Sequence, residues 1–346
     1  MTDVLIRKEG KAGRITLNRP DALNALSYDM CLKIDAALID WADDDGVALV
    51  LIDAEGDRAF CAGGDIREIY DIGLSGDPTR AQNFWRDEYR MNARLFEFAK
   101  PVVSLMQGYT MGGGVGVGCH GSHRVMARSS RMAMPECGIG LVPDVGGSLI
   151  LAGAPGHLGT YIGTTGARLA PGDAIHAGFA DHVIPQAEWP ALIDTLVATG
   201  TPDVILEAAI PPIPGNISAL QPMIDAHFGK DTLAEIVASL KAEDSQFSQN
   251  ALEQLARNSP LSMAATVRML RQLGRTEDVR KALELEYRFV FRALTHSDLI
   301  EGIRAAVIDK DRSPNWKHGL DGPLDDALNG DVDAMLAPLG DNTLTF

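Results

Sequence analysis

Apolar residues in the first two hundred positions follow a strand period and a helix period in turn. Residues 4–20 alternate around the glycines of 10–13, which predicts a hairpin of two strands. Residues 26–44 carry apolar side chains three and four positions apart, and Ser27 precedes them as a suitable N-cap. This spacing predicts a helix. The apolar runs in 47–56 and 102–108 predict buried strands.

The alternation of predicted strands and helices continues to about residue 134. Helical spacing over 84–99 ends before Lys100 and Pro101, and residues 124–134 predict a short pair of strands. Glycine-rich segments follow two of the buried strands, at 60–66 and 111–118. A repeated order of strand, strand and helix favours a layered α/β architecture.

The pattern changes after residue 200. Residues 201–222 are rich in proline, which breaks regular structure, whereas residues 231–312 carry mostly helical spacing. A chain of 346 residues is long enough for one large domain or a core with a smaller appendage. We therefore predict a core at 1–200, a proline-rich connection at 201–230 and a helical C-terminal region at 231–346.

Composition narrows the possible partners. A formal charge of −16 argues against nucleic acid or an anionic membrane surface, although a local basic cluster could still bind an anionic ligand. The cysteines have no CxxC pair and no metal-ligand spacing, so they are expected to be buried, reduced thiols; they are Cys31, Cys61, Cys119 and Cys137. The chain has no apolar targeting segment at its start and no membrane-spanning run, which predicts a cytoplasmic protein.

The two glycine-rich segments have structural and functional interpretations. FCAGGDI at 60–66 fits a tight turn, or a loop whose backbone a ligand can approach closely. MGGGVGVG at 111–118 lies where a strand passes into a helix, and its glycines could serve close helix packing. Its N–H groups would equally suit a phosphate or a developing oxyanion.

One spacing imitates a dinucleotide-binding fingerprint. Gly116, Gly118 and Gly121 spell GxGxxG, and Glu136 follows Gly116 by twenty residues. The match, however, falls inside the predicted helix rather than in the loop that opens it, and Glu136 follows a proline instead of closing a strand. The sequence thus disfavours an NAD-binding oxidoreductase, which stays a remote alternative.

Carboxylates in apolar surroundings are the remaining candidates for chemistry. Glu136 and Asp144 lie in MPECGIGLVPDVGG at 134–147, where a charge is costly unless it is paired, hydrogen-bonded or reactive. Glu88 lies in DEYRMN at 87–92, among the apolar positions of a predicted helix. A solvated helix face is the ordinary explanation for Glu88, and a turn cap is one for Asp144.

Together these segments resemble the crotonase (enoyl-CoA hydratase/isomerase) superfamily and, within it, the 3-hydroxyisobutyryl-CoA hydrolases. The resemblance covers nearly the whole chain, and its motifs are specific jointly rather than singly. They are NRPDALNAL at 18–26, FCAGGDI at 60–66, MGGGVG at 111–116, MPECGIGLVPDVGG at 134–147, LEYRFVFRAL at 285–294 and EGIRAAVIDKDRSPNW at 301–316.

The resemblance implies a fold and a reaction site. The expected fold is α/β, a crotonase-like spiral of strand–strand–helix turns with a helical C-terminal region. It implies an oxyanion hole made of the Gly64 and Gly113 amides, holding the thioester carbonyl of an acyl-CoA. Hydratases of this superfamily carry a second glutamate two residues after the triple glycine, where this chain has Gly116. That departure disfavours hydration and leaves Glu136 as the retained acid.

The hydrolases add an aspartate in the PDVGG turn, here Asp144, and the resemblance implies that Glu136 and Asp144 are the catalytic pair. It implies that Glu88 lines the substrate pocket, where it would recognise a β-hydroxyl group. Two enclosed carboxyls should have pKa values pushed apart, although the sequence does not assign the proton. Further residues are expected to bind substrate; they are Ala62, Asp65 and Ile66, with Arg19 and Lys310 as candidates for contacts to the CoA phosphates.

The expected activity is hydrolysis of 3-hydroxyisobutyryl-CoA, a step of valine degradation. No metal is implied, since His120 and His123 have no partner at ligand spacing. No cofactor is expected either, because coenzyme A is part of the substrate. Several superfamily members form trimers or hexamers, so a homo-oligomer is a further expectation. An enoyl-CoA hydratase/isomerase is the main alternative, and a non-catalytic CoA-binding paralogue is a remote one.

Overall fold

The computed structural model of the chain describes residues 2–320 and 326–346. Backbone contacts group them into two compact units. Unit 1 contains the chain up to Gly64 together with Asp87–Ala133 and Arg168–Ser218. Unit 2 contains Asp65–Arg86, Met134–Ala167 and the chain from Ala219 onwards. Both units draw on segments from within the first 200 residues, and the predicted boundaries at 200 and 230 stay a prediction.

Every strand in the described residues belongs to unit 1. The strands are β1 (Val4–Glu9), β2 (Ala12–Leu17), β3 (Leu49–Ala54), β4 (Ala59–Cys61), β5 (Val102–Met106), β6 (Tyr109–Met111), β7 (His123–Met126), β8 (Arg131–Ala133) and β9 (His182–Val183). One sheet has the order β1-β2-β3-β5-β7-β9, and a second has the order β4-β6-β8. The predicted hairpin is confirmed: β1 pairs with β2 antiparallel, with Val4 opposite Leu17. The other pairs are parallel.

The helices in chain order are α1 (Tyr28–Ala42), α2 (Ile66–Ser75), α3 (Thr79–Phe96), α4 (Gly113–Gly118), α5 (Gly147–Gly153), α6 (Leu158–Thr165), α7 (Pro171–His176), α8 (Trp189–Thr199), α9 (Val204–Ala208), α10 (Ile217–Phe228), α11 (Leu233–Lys241), α12 (Gln246–Leu255), α13 (Pro260–Leu273), α14 (Val279–His296), α15 (Leu299–Ile303) and α16 (Asp326–Leu336). The helix predicted over 26–44 is confirmed as α1. The side chain of Ser27 caps it by accepting the amide of Met30.

Successive strands alternate between the two sheets. β3, β5 and β7 join the larger sheet, and the strand that follows each of them joins the smaller one. Helix α4 follows directly after β6, so the predicted strand–strand–helix order is confirmed. The predicted pair at 124–134 is wrong in one respect. β7 and β8 are both strands, but each pairs with a partner far along the chain because the backbone changes sheet between them.

The larger sheet packs its apolar side chains against α8 and its neighbours. Leu49, Leu51 and Val103 share a buried cluster with Trp189 and Leu192. Burying each such side chain contributes about 1.5–3 kcal/mol. This cluster belongs to the larger sheet, whereas the two glycine-rich loops follow β4 and β6 of the smaller sheet.

Unit 2 is helical in its described residues. α13 contacts α5, α6 and α16, and α14 contacts α5 and α16. Met263, Ala265 and Val267 of α13 are buried. The helices predicted after residue 231 are therefore confirmed, and α14 lies against the short helix that follows the PDVGG turn.

The proline-rich connection is more regular than predicted. Residues 201–222 contain α9 and the start of α10, and Pro222 lies inside α10. A proline removes one N–H donor, and here the loss comes within the first two turns of the helix. Residues 209–216 lie outside helices, as the proline content predicts, whereas α9 and α10 form on either side of them.

Candidate active site

Asn24 fixes the start of the loop that carries Gly64. Its Nδ2 donates to the carbonyls of Glu55 and Ala59, both at 2.9 Å, and its Oδ1 accepts the amide of Arg19 at 2.8 Å. The backbone of Asn24 has φ +55°, in the left-handed region, where asparagine is tolerated better than most residues. Through Asn24, the NRPDALNAL motif is hydrogen-bonded to both ends of the loop between β3 and β4.

Backbone hydrogen bonds also join the NRPDALNAL motif to the FCAGGDI segment. The amide of Ala62 donates to the carbonyl of Leu23 at 3.0 Å, and the amide of Leu26 donates to Gly63 at 2.9 Å. Gly63 has φ +118°, which a side chain would rarely adopt. The tight-turn interpretation is therefore confirmed for this loop, and the approach of a ligand to its backbone stays a prediction.

Gly113 begins α4 immediately after β6. Gly112 before it has φ +49°, and a Cβ on Gly114 would lie 2.2 Å from the carbonyl oxygen of Cys61. These glycines let the helix start approach the end of β4 with no side chain between them. The close-packing interpretation of the triple glycine is therefore correct for Gly114.

The structure brings Gly64, Gly113 and Glu88 together within unit 1. A Cβ on Gly113 would lie 3.1 Å from the Gly64 nitrogen and 3.1 Å from Oε1 of Glu88. Within the described part of the chain, the Gly64 and Gly113 amides donate to no protein acceptor. An oxyanion hole needs two such backbone donors close together, so the oxyanion role of Gly64 and Gly113 stays a prediction that this proximity allows.

Glu88 is buried rather than solvated, being 3% exposed on α3. Asn92, one turn later on the same face, is fully buried, and neither of its amide atoms has a hydrogen-bond partner in the described ranges. Sequence reasoning missed Asn92. The four-residue spacing of two polar residues within an apolar helix pattern was the available signal.

Glu136 opens a short 3₁₀ helix, Glu136–Ile139, in unit 2. Its side chain is buried, and Oε2 has no hydrogen-bond partner among the described residues. Burial raises the pKa of Glu136 well above its ordinary value, and the charges of Asp144 and then Glu286 raise it further. A raised pKa makes the carboxylate form of Glu136 a stronger base than an ordinary glutamate.

Asp144 stands at the head of a tight, strained turn. Its carbonyl accepts the amide of Gly147 at 2.7 Å, and the two residues between them have positive φ, +55° at Val145 and +79° at Gly146. A β-branched residue in the left-handed region is unusual and persists only where its surroundings enforce it. Asp144 is itself 5% exposed, and it lies close enough to Glu136 to raise the pKa of that carboxyl.

Glu286 is a further buried carboxyl in unit 2, and sequence reasoning missed it. It lies on α14 with no exposed surface and accepts the amides of Gly146 at 2.8 Å and Ser148 at 3.0 Å. Burial and the charge of Asp144 raise its pKa to about 8, against the hydrogen bonds that lower it. The available signal was an acid three residues after Leu283 and four before Val290, on the apolar stripe of LEYRFVFRAL.

The remaining predicted site residues lie at loop and helix ends. In unit 1, Ala62 is half-buried, and Arg19 donates to the carbonyl of Ala25 at 2.7 Å and lies 3.5 Å from a carboxylate oxygen of Asp3. In unit 2, Asp65 is the N-cap residue of α2 and Ile66 is its first residue. Lys310 is exposed with φ +58°. None of these roles is tested, so they stay predictions.

The histidines and cysteines occupy structural positions. The ring of His120 lies edge-on to Phe96 at 5.9 Å, and Nδ1 of His123 lies 2.9 Å from the hydroxyl of Ser122. Within the described ranges, no group of three or more His, Cys, Asp or Glu side chains could hold a metal ion. The cysteines are free and buried as predicted, and burial raises the pKa of Cys61 to about 12.

The family model for enoyl-CoA hydratase/isomerase matches residues 12–329 of the chain. The chain belongs to this family. The match includes both glycine-rich loops and the buried carboxyls of Glu88, Glu136, Asp144 and Glu286. The predicted crotonase-like fold is thereby confirmed.

Curated relatives of this family member match it over most of its length. It is 38% identical over 357 residues to the mitochondrial 3-hydroxyisobutyryl-CoA hydrolase of Gallus gallus, covering 99% of this chain and 90% of that one. It is 39% identical over 327 residues to the enzyme of the same name from Danio rerio, covering 91% and 85%. The resemblance to hydrolases that the sequence motifs indicate is confirmed.

Solved structures of the family match equally well. An enoyl-CoA hydratase from Rhodobacter sphaeroides 2.4.1 has 54% identity, complete coverage of both chains and a TM-score of 0.92. A carnitinyl-CoA dehydratase from Mycobacterium thermoresistibile has 39% identity, coverage of 99% and 98%, and a TM-score of 0.93. These names differ from those of the curated relatives, so the choice between hydrolase and hydratase depends on the site residues.

Two further expectations can be compared with these findings. No helix among residues 2–320 and 326–346 has both the length and the apolarity to cross a bilayer. The curated relatives are named as mitochondrial enzymes, and the predicted cytoplasmic location of this family member stays a prediction. Gly116 and Gly118 lie inside α4, where a dinucleotide-binding loop has no place, as predicted.

Proposed function

We propose that this protein hydrolyses acyl-CoA thioesters, with 3-hydroxyisobutyryl-CoA as its substrate. The observation that carries the proposal is the pairing of buried Glu136 with Asp144, combined with glycine at position 116. The full-length relatives named 3-hydroxyisobutyryl-CoA hydrolase support the same activity. By this proposal the protein acts in valine degradation, and coenzyme A is part of the substrate rather than a cofactor.

The proposed mechanism assigns one task to each group. The Gly64 and Gly113 amides would polarise the thioester carbonyl and stabilise the tetrahedral oxyanion, where losing one such donor costs about 10²–10³ in rate. Glu136 would either attack the carbonyl carbon or take a proton from the attacking water. Asp144 would orient Glu136 or that water and carry the proton. Coenzyme A leaves readily as a thiolate, so strong acid catalysis is not needed.

Glu88 would select for the β-hydroxyl group. Its carboxyl is buried beside Gly113, and a buried hydrogen-bonding group rejects an analogue that leaves it unpaired. We expect E88A to lower kcat/KM for 3-hydroxyisobutyryl-CoA at least ~10-fold while leaving that for isobutyryl-CoA, which lacks the hydroxyl, within about threefold. Equal losses on both substrates would contradict this role.

Thiol release from a panel of acyl-CoAs tests the proposal directly. We expect 3-hydroxyisobutyryl-CoA to be hydrolysed fastest, with E136Q and D144N each slower by orders of magnitude although both still bind coenzyme A. A wild-type protein that releases no thiol from any member of the panel would overturn the proposal. Coenzyme A binding without turnover would then favour a non-catalytic paralogue.

An enoyl-CoA hydratase is the second candidate because a solved relative with 54% identity carries that name. Hydration needs two acids to position and activate water, and Gly116 cannot supply the second. We therefore expect no loss of the enoyl absorbance when crotonyl-CoA is added. A useful rate of hydration would favour this candidate, and saturable NAD binding would favour the remote oxidoreductase alternative.

A further inference from the structure

Glu286 is buried, acidic and outside the catalytic pair. It belongs to α14, some 140 residues from the turn it contacts, and both of its oxygens are used. Oε2 accepts the Gly146 amide at 2.8 Å and Oε1 accepts the Ser148 amide at 3.0 Å. Each amide donates to a different oxygen of this carboxyl, so one side chain holds two backbone groups of the turn at once.

The two amides belong to a segment whose backbone conformation is unfavourable for its own residues. We call residues 144–148 the aspartate turn. It places a valine and a glycine in succession at positive φ, closed by the Gly147 amide on the carbonyl of Asp144 at 2.7 Å. Valine is disfavoured in the left-handed region, so this conformation persists only where its surroundings hold it.

Glu286 supplies that support on the side of the turn that follows Asp144. Gly146 is the N-cap of α5, and Ser148 lies in its first turn. Binding both amides ties the aspartate turn to α14, which packs against α5 and α16. The same carboxyl lies close enough to Asp144 and Glu136 for their charges to interact.

We propose that Glu286 is a positioning residue, which holds the aspartate turn so that Asp144 keeps its place beside Glu136. This inference rests on the proposed hydrolase function, because it concerns the placement of the catalytic pair. A side chain that merely capped α5 would contribute stability alone. A positioning residue also changes the rate of the chemical step and the titration of Glu136.

The test compares E286Q with a matched variant elsewhere. Glutamine keeps the length of the side chain but can accept only one of the two amides, and it removes the charge. The control is D173N, because Asp173 is also a buried carboxyl, 6% exposed, and accepts the amide of Ile217 at 3.0 Å. We expect E286Q to lower kcat about 10- to 100-fold with KM within about threefold, and D173N to leave kcat within about twofold.

The pH profile separates positioning from plain stability. The charge of Glu286 raises the pKa of Glu136, so its removal lowers that pKa, and the acidic limb of the kcat profile moves to lower pH in E286Q. Hydrogen exchange gives a readout independent of turnover. The amides of Gly146 and Ser148 should exchange at least ~10-fold faster in E286Q than in the wild type.

A second variant guards against misfolding. E286D keeps the charge but is one methylene shorter, so it cannot reach both amides, and we expect it to lower kcat like E286Q. An E286Q or E286D protein that folds with wild-type kcat and an unmoved profile would overturn the positioning role. A wild-type protein that releases no thiol overturns the proposed function instead, and the inference falls with it.

Discussion

At the scale of one residue, burial of the Glu136 carboxyl lowers the stability of the fold and makes the group a stronger base. Burial and two neighbouring acids hold its pKa above the ordinary value. A group whose pKa is raised in the folded state stabilises the protein at low pH. That contribution is lost as the pH rises from the unfolded value towards the folded one.

E136Q should therefore be inactive and more stable at the same time. We expect kcat to fall about 10²- to 10⁴-fold, because the proton acceptor is gone. We expect the melting temperature of E136Q to exceed that of the wild type by a few degrees at pH 8. The difference should vanish as the pH falls below 4.5, because the wild-type carboxyl then becomes protonated in the unfolded state as well as in the folded one.

Thermal unfolding at pH 5 and pH 8 measures this difference. E253Q, at an exposed position on α12, is the matched control and should show no gain at either pH. If E136Q gains nothing at pH 8 over pH 5, the buried carboxyl costs the fold nothing, and the argument from burial is wrong.

At the scale of an element, the start of α4 acts as a unit with the loop after β4. A Cβ on Gly113 would lie 3.1 Å from both the Gly64 nitrogen and Oε1 of Glu88, closer than ordinary van der Waals contact. One of these neighbours must move to admit it. Alanine at 113 would therefore displace the Gly64 amide or Glu88 by a few tenths of an ångström, although helix propensity alone would favour alanine.

We expect G113A to lower kcat about 10²- to 10³-fold, the effect of displacing one oxyanion donor. G330A, in α16, is the matched control. A Cβ there meets nothing within 4 Å, so it should leave kcat unchanged and stabilise the helix by about 0.5–1 kcal/mol. Steady-state kinetics and thermal unfolding of both variants provide the comparison, and a G113A enzyme of normal activity would exclude an oxyanion hole at this position.

Local periodicity predicted elements well because it depends on near neighbours. The hairpin and α1 with its Ser27 cap follow from spacing alone. The partners of β7 and β8 do not follow from spacing. Each pairs with a strand about twenty residues earlier in the chain, and the pattern of apolar positions does not specify which strand that is. Proline counting likewise obscured α10, since a proline's effect depends on its position in the helix.

The site divides in the same way. Glu136 and Asp144 could be singled out as acids among apolar residues, and their joint role came from the family resemblance. The role of Glu286 could not be predicted, because its partners are the amides of Gly146 and Ser148, which lie 140 and 138 positions away. These partners are backbone groups, which give no signal in the sequence. The contact between Glu286 and these two amides is visible only in the structure.

At the scale of the whole molecule, the protein and its proposed substrate both carry negative charge. A chain of formal charge −16 repels an anionic acyl-CoA at long range, so binding must depend on local cations. Arg19 and Lys310 are the candidates. Arg19 is already ordered by Ala25 and Asp3, which reduces the entropy that a phosphate contact would cost.

We expect R19Q and K310Q each to raise KM for 3-hydroxyisobutyryl-CoA about 10-fold, the loss of about 1.4 kcal/mol of binding, with kcat unchanged. The acyl-pantetheine analogue lacks the nucleotide phosphates, and its KM should not change. K33Q, which breaks an exposed pair with Asp29 on α1, should affect neither substrate. An equal rise in KM on both substrates would mean that the residue acts through its loop, and no rise would remove it from the phosphate site.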